Sequence, residues 1–162
     1  MPWVSAIVLA PIVGALVMLM VPPSPEGTRT AKLVALLTAG GTLVLVAILL
    51  GLFDRSDGRL QYVDHVSWVE QIGLSWDVGV DGISLWLLVL TAALFALGGI
   101  AAVWRAPRER PRAFLAMLLL AEGGLLGLFA AGDLVLFYIF WEAMLIPFYF
   151  LIGMWGGEGR AK

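Results

Sequence analysis

The sequence has 162 residues, 61% hydrophobic and only 14% charged, against roughly 45–50% apolar and about 25% charged in soluble domains, a departure that points to a membrane protein. It has no cysteine and one histidine, which excludes a disulfide framework, a thiolate metal site, a cysteine nucleophile and a multi-histidine metal cluster. A net charge of −2 offers no basic surface for nucleic acid.

A membrane-spanning helix needs ~20 mostly apolar residues, and five stretches qualify. The first, 3–21, is closed by Pro22-Pro23. No basic residue precedes it, so it reads as a true membrane helix and not as a cleaved signal. The second is 32–53. Next comes the one long polar stretch, an outer loop over 54–80. Within it, 60–68 and 72–78 alternate with a period near 2, and Glu70-Gln71 lies between them. That pattern predicts a small β-hairpin packed over the membrane. Asp81 is placed to cap the third helix, 82–104, by accepting from the backbone N–H of Ile83 or Ser84. The fourth span is 113–132 and the fifth 134–155. No internal repeat is present beyond the repetition of spans. The expected fold is a single membrane domain over 1–162, an all-α integral membrane protein of about five transmembrane helices with a small extracytoplasmic β-hairpin loop.

The charges orient the spans. Arg29, Lys32, Arg105, Arg108, Arg110, Arg112, Arg160 and Lys162 fall on one side if five helices alternate, and only Arg55 and Arg59 on the other. The excess of basic residues marks the cytoplasmic side, which puts the N-terminus outside and the C-terminus in the cytoplasm of a bacterial inner membrane. The opposite side is acidic, with Asp54, Asp57, Asp64, Glu70, Asp77, Asp81 and Asp133. Trp3, Trp104 and Trp155 lie near span ends, where aromatic belts sit. The arginines from Arg105 to Arg112 are read as topological, with contact to anionic lipid or a partner as the alternative.

Two carboxylates lie deep in apolar runs. Glu142 is about the ninth residue of the fifth span, hence ~13 Å in at 1.5 Å per residue, near the middle of a ~30 Å core. Glu122 holds the matching place in the fourth span, ten residues on the other side of the turn at Gly132. An antiparallel helix pair puts the two at similar depth, but helix rotation decides whether they face each other. A charged carboxylate at the bilayer centre costs ~2.5–3.5 kcal/mol even on the lenient insertion scale, so such residues face protein or a water-filled cavity. Glu142 reads as a buried proton-relay acid, the alternative being a structural hydrogen-bonder. Glu122 is a second candidate, with helix packing beside Gly123, Gly124 and Gly127 as its alternative. Pro147 deprives the carbonyl of Ala143 of its usual donor and is expected to kink the fifth helix near Glu142. Tyr138, one turn before Glu142, is read first as packing and second as a hydrogen-bond partner. Asp133 is explained by capping, and His65 as a surface loop residue.

The stretch Asp133-Leu134-Val135-Leu136-Phe137-Tyr138-Ile139-Phe140-Trp141-Glu142-Ala143-Met144-Leu145-Ile146-Pro147 and its continuation to Gly156 resemble the fifth helix of the antiporter-like membrane subunits of proton-pumping NADH:quinone oxidoreductase (respiratory complex I). Gly79-Val80-Asp81-Gly82-Ile83-Ser84-Leu85 resembles their third helix. The likeness is greatest to the subunit M (subunit 4) type. Subunits of sodium/proton antiporters and membrane hydrogenases share the glutamate and the proline and remain an alternative. So does a non-catalytic membrane scaffold or inactive fragment. The resemblance implies a membrane subunit of a translocase, with the other membrane subunits and the lipid bilayer as partners. It implies that Glu142 matches the glutamate that modulates a key lysine. It implies no cofactor in this chain, with NADH, flavin, iron–sulfur clusters and quinone bound elsewhere in the complex. Family members carry further helices with such lysines, so the sequence is expected to be the N-terminal portion, truncated relative to the family. Lys32, at the edge of the second span, is read with the linker, and no lysine is expected in the interior of any span.

Overall fold

Apolar runs of spanning length can satisfy their backbone groups in lipid only from within, and in a computed structural model five of them do so as helices. Residues 2–69, 74–105, 107 and 109–156 are described. The expectations placed on Glu70, Gln71, Arg108, Arg160 and Lys162 lie outside the described residues, as does the part of the second alternating stretch before Leu74. In chain order the elements are α1 (Trp3–Met20), α2 (Pro25–Leu52), β1 (Gln61–Val69), β2 (Leu74–Val80), α3 (Gly82–Arg105), α4 (Pro111–Ala130) and α5 (Leu134–Trp155). All five helices are long and apolar enough to cross a membrane. The two strands pair antiparallel as a hairpin.

The second helix starts earlier than the apolar run suggests. The Ser24 side chain accepts from the N–H of Gly27 at 3.0 Å, and Pro25 opens the helix where its missing N–H costs nothing. Two polar turns therefore precede the apolar run. Lys32 lies on this helix and not in a linker, which corrects the expectation that no lysine falls inside a span. Its Nζ donates to the carbonyl of Val103 at 2.8 Å, in the last turn of α3. Arg112 likewise donates to the carbonyl of Val21, the C-cap of α1. Both cations satisfy carbonyls that their helices leave unpaired and oppose the negative end of the dipole. Trp155 completes this end of the bundle by donating to the carbonyl of Glu109 at 3.0 Å.

At the other end the hairpin acts as a clamp. The N-cap of α1 is Pro2, which has no side chain to offer. Asp64 on β1 supplies the missing acceptor, taking the N–H of Ser5 at 2.8 Å. Trp76 on β2 donates to the Ser5 hydroxyl at 2.9 Å and packs edge-on against Phe140 of α5, with ring centroids 5.8 Å apart. The N–H of Gly132 donates to the carbonyl of Asp77 at 2.7 Å, and Val78 bridges to Ala131. The hairpin thus ties the start of α1 to the α4–α5 turn. Asp81 caps α3 as its position suggests, accepting from Ser84 at 2.7 Å and Ile83 at 2.9 Å. Donation from the Ser84 backbone holds its carboxyl below the usual value.

Charge sorts by end. Among the described residues, Arg29, Lys32, Arg105, Arg110 and Arg112 lie at the end away from the hairpin with Glu26 and Glu109, while Asp54, Asp57, Asp64, Asp77, Asp81 and Asp133 lie at the hairpin end with Arg55 and Arg59. Small residues set the helix spacing, as in membrane bundles generally. Gly14 of α1 abuts Thr38 of α2 and Leu119 of α4, and Gly99 of α3 faces Ala39 of α2. The fourth helix is the inner one, with 61% of its span buried inside the protein against 17% for α5.

Candidate functional site

The site is built on α4 and α5. Asp133 fixes the start of α5 by accepting from the N–H groups of Val135 at 2.8 Å and Leu136 at 2.9 Å. Two glycines of α4 then fix its rotation. A Cβ on Gly124 would stand 3.1 Å from the Cα of Met144, and one on Gly127 would enter the ring of Phe140. Leu136, Phe140 and Pro147 are consequently buried. The opposite face of α5, which carries Tyr138, Trp141, Glu142, Leu145, Ile146 and Tyr149, is exposed.

Glu142 is therefore deep along the helix axis but not buried within this chain. Sequence depth places a residue along the axis; packing at Gly124 and Gly127 places it around the axis, and here it turns Glu142 outward. Tyr138, 60% exposed, contributes little packing. Its hydroxyl interacts instead with the Glu142 carboxylate. The helix runs unbroken through Pro147 to Trp155, although Pro147 can offer no N–H to the carbonyl of Ala143.

Glu122 has the contrary setting. It is 0% exposed, and neither carboxylate oxygen has a hydrogen-bond partner among the described residues. Its neighbour Gly123 packs on Ile12 and the Val8 carbonyl of α1, while Gly124 packs on α5. At 100° per residue, Glu122 points to the remaining side of α4, toward α2 and α3. The contacts of Gly124 with Met144 and Gly127 with Phe140 put Glu122 and Glu142 within about one helical turn in depth. No hydrogen bond joins them, and they occupy different faces of the pair.

Sequence reasoning passed over Thr42 and Thr91. Together with Glu122 they are the buried polar residues among those described. Thr42 continues the small-residue stripe of Ala31, Ala35 and Ala39 along the buried face of α2, and that three-to-four-residue spacing was the available signal. His65 is exposed, on β1, with Nδ1 3.8 Å from a carboxylate oxygen of Asp77. Among the described residues no three His, Cys, Asp or Glu side chains gather as a metal site.

Comparison with known proteins gives consistent results. Residues 131–162 match the family model described as "NADH:quinone oxidoreductase/Mrp antiporter, TM". The chain is 41% identical over 160 residues to NAD(P)H-quinone oxidoreductase chain 4 2 of Microcystis aeruginosa, covering 98% of this chain and 28% of that protein. It is 38% identical over 162 residues to NAD(P)H-quinone oxidoreductase chain 4 of a Prochlorococcus marinus strain, covering 98% and 29%. A chain in the structure of respiratory complex I from Thermus thermophilus with bound NADH superposes with a TM-score of 0.76 and 34% identity, over 97% of this chain and 30% of that one. The chain thus spans about three-tenths of the length of these relatives.

The α4–α5 seam makes a direct prediction. Gly127→Ala should destabilise the folded chain in a detergent-unfolding titration by about 1–3 kcal/mol, the usual range for overpacking. In a Phe140→Ala background the same Gly127→Ala change should cost less, because the ring is what the new methyl meets. Strictly additive losses would show that the two residues do not touch.

Proposed function

We propose a function from the family to which this chain belongs, the chain-4 membrane subunits of NADH:quinone oxidoreductases: it is a membrane subunit that contributes to proton translocation coupled to electron transport. The observation that carries this reading is Glu142. It lies in the segment that the family model matches, on α5 at mid-span, with Tyr138 beside it. An ionised carboxylate facing lipid there costs ~2.5–3.5 kcal/mol or more, so in the assembled protein this face is covered by protein or by a water-filled cavity.

Glu142 then serves as the relay acid, taking and releasing a proton as charge changes on its covered side. Tyr138 orients its carboxylate. The Ala143 carbonyl, left without its donor by Pro147, accepts a hydrogen bond from water or a neighbouring group close to the acid. Glu122 is the second candidate acid. Binding of NADH, flavin, iron–sulfur clusters and quinone belongs to other subunits, so the chain takes part in an oxidoreductase without a redox centre of its own. Its partners are the other membrane subunits of the complex and the lipid bilayer. Since the matching family model also covers Mrp antiporters, a sodium/proton antiporter subunit is the second reading; the names of the full-length relatives favour the first. The membrane is the bacterial inner membrane. The basic end of the bundle faces the cytoplasm by the positive-inside rule, which puts the N-terminus outside.

In the assembled complex, Glu142→Gln should cut quinone-linked proton uptake into vesicles by about tenfold or more, as expected for loss of a proton-transfer group. Complex abundance on native gels should hold. Abundance falling in step with pumping would make Glu142 structural and favour the scaffold reading. Orientation has its own test. A cysteine replacing Pro2 should react with an impermeant maleimide in intact cells; reaction only after permeabilisation would reverse the topology.

A further inference from the structure

Glu122 is a carboxyl sealed inside the bundle with no counter-charge paired to it among the described residues. Both of its oxygens lack a hydrogen-bond donor among the described residues. The charged side chains on the surrounding helices are all committed elsewhere or distant. Helix α1 carries none. On α2, Glu26 and Arg29 lie in the first two turns, and Lys32 donates to the Val103 carbonyl. Arg105 closes α3, and Arg112 donates to the Val21 carbonyl at the start of α4. Glu142 on α5 turns to the opposite face. An ionised carboxylate left unpaired in such surroundings is untenable, whereas the neutral acid bears only the cost of a buried hydroxyl.

The seam also holds a group suited to either state of the acid. Gly14 abuts both Thr38 of α2 and Leu119 of α4, so those two side chains sit level. The two helices start from the same end of the bundle. One turn on from Thr38 is Thr42, and one turn on from Leu119 is Glu122, which puts Thr42 at the level of the acid. Thr42 is 0% exposed, and its hydroxyl donates to the Thr38 carbonyl at 3.0 Å. A threonine hydroxyl is both donor and acceptor, and its hydrogen rotates. No hydrogen bond joins it to Glu122 in this structure; brought within reach by a side-chain shift, it would accept from the acid or donate to the carboxylate.

We propose that Glu122 is a second proton-holding site, a neutral carboxylic acid in the α2–α3–α4 interior at the level of the Thr42 hydroxyl, whose proton exchanges with water independently of Glu142. Release breaks the carboxyl O–H bond and leaves a carboxylate, the proton passing to water; uptake reverses this. The site deepens the proton-translocation reading by giving the chain two acids at nearly one depth on opposite faces of the α4–α5 pair.

The test is infrared spectroscopy of the protein in its native membrane, with isotope-labelled glutamate and exchange into heavy water. A carbonyl-stretch band of a protonated carboxyl should be present and should shift in heavy water. It should vanish in Glu122→Gln and persist in Glu142→Gln. Should Glu122→Gln fail to accumulate, Glu122→Asp should move the band, and Thr42→Val should shift its frequency by removing the hydroxyl. Absence of the band, with an ionised-carboxylate signal that responds to sodium, would make the site a cation site and overturn the proposal. A band that never exchanges in heavy water would make Glu122 a sealed structural acid and overturn it equally. Neither result depends on pumping, so a failure here is distinct from a failure of the Glu142 reading.

Discussion

The contact between α4 and α5 at Gly124 and Gly127 is the constraint on which the site depends. Two residues without side chains let α5 approach until Met144 and Phe140 lie on the α4 backbone. At that separation α5 has one rotation available. Turning it to bury Glu142 would drive Met144 and Phe140 away from the two notches that fit them. The same packing seats α4 with Gly123 on α1, which leaves Glu122 no direction but the bundle interior. The opposite environments of two acids at nearly one depth thus follow from three glycines on one helix.

The ends of the bundle are held by a different chemistry. Helix termini in a membrane protein carry orphan N–H and C=O groups, and here residues remote in sequence supply many of the partners. Asp64 serves the first turn of α1 across 59 residues, and Lys32 serves the last turn of α3 across 71. Arg112 closes α1 in the same way across 91. These bonds join elements that do not follow one another in the chain. They also put Asp64 at the hairpin end and Lys32 and Arg112 at the far end, so part of the charge asymmetry between the two ends is the capping chemistry of the helices.

The sequence showed the spans clearly, because the number and type of apolar runs are a property of composition along the chain. The hairpin was legible from its period of two, and the caps at Asp81 and Asp133 from residue type and position. The start of α2 was missed because an apolar window does not see a polar helical turn, although Ser24-Pro25-Glu26 is a readable start signal. The rotation of α5 was not legible. Counting residues gives the depth of Glu142 along the helix but leaves its direction around the axis open, since that direction is decided by which residues of α4 lack a Cβ. The long-range caps were beyond reach for the same reason: each is a pairing between helices, and one sequence records helices singly.

An exposed carboxylate at mid-span is tolerable only if something other than hydrocarbon covers it in the assembled protein. The surface around Glu142, with Tyr138, Ile146 and Tyr149 more than half exposed, is therefore a protein-facing surface in this account. The most direct measurement is photo-crosslinking in native membranes from a benzoyl-phenylalanine placed at Ile146, one turn from Glu142. The account predicts adducts with polypeptide at that position. Adducts with lipid alone would mean that Glu142 faces the bilayer, and would contradict it.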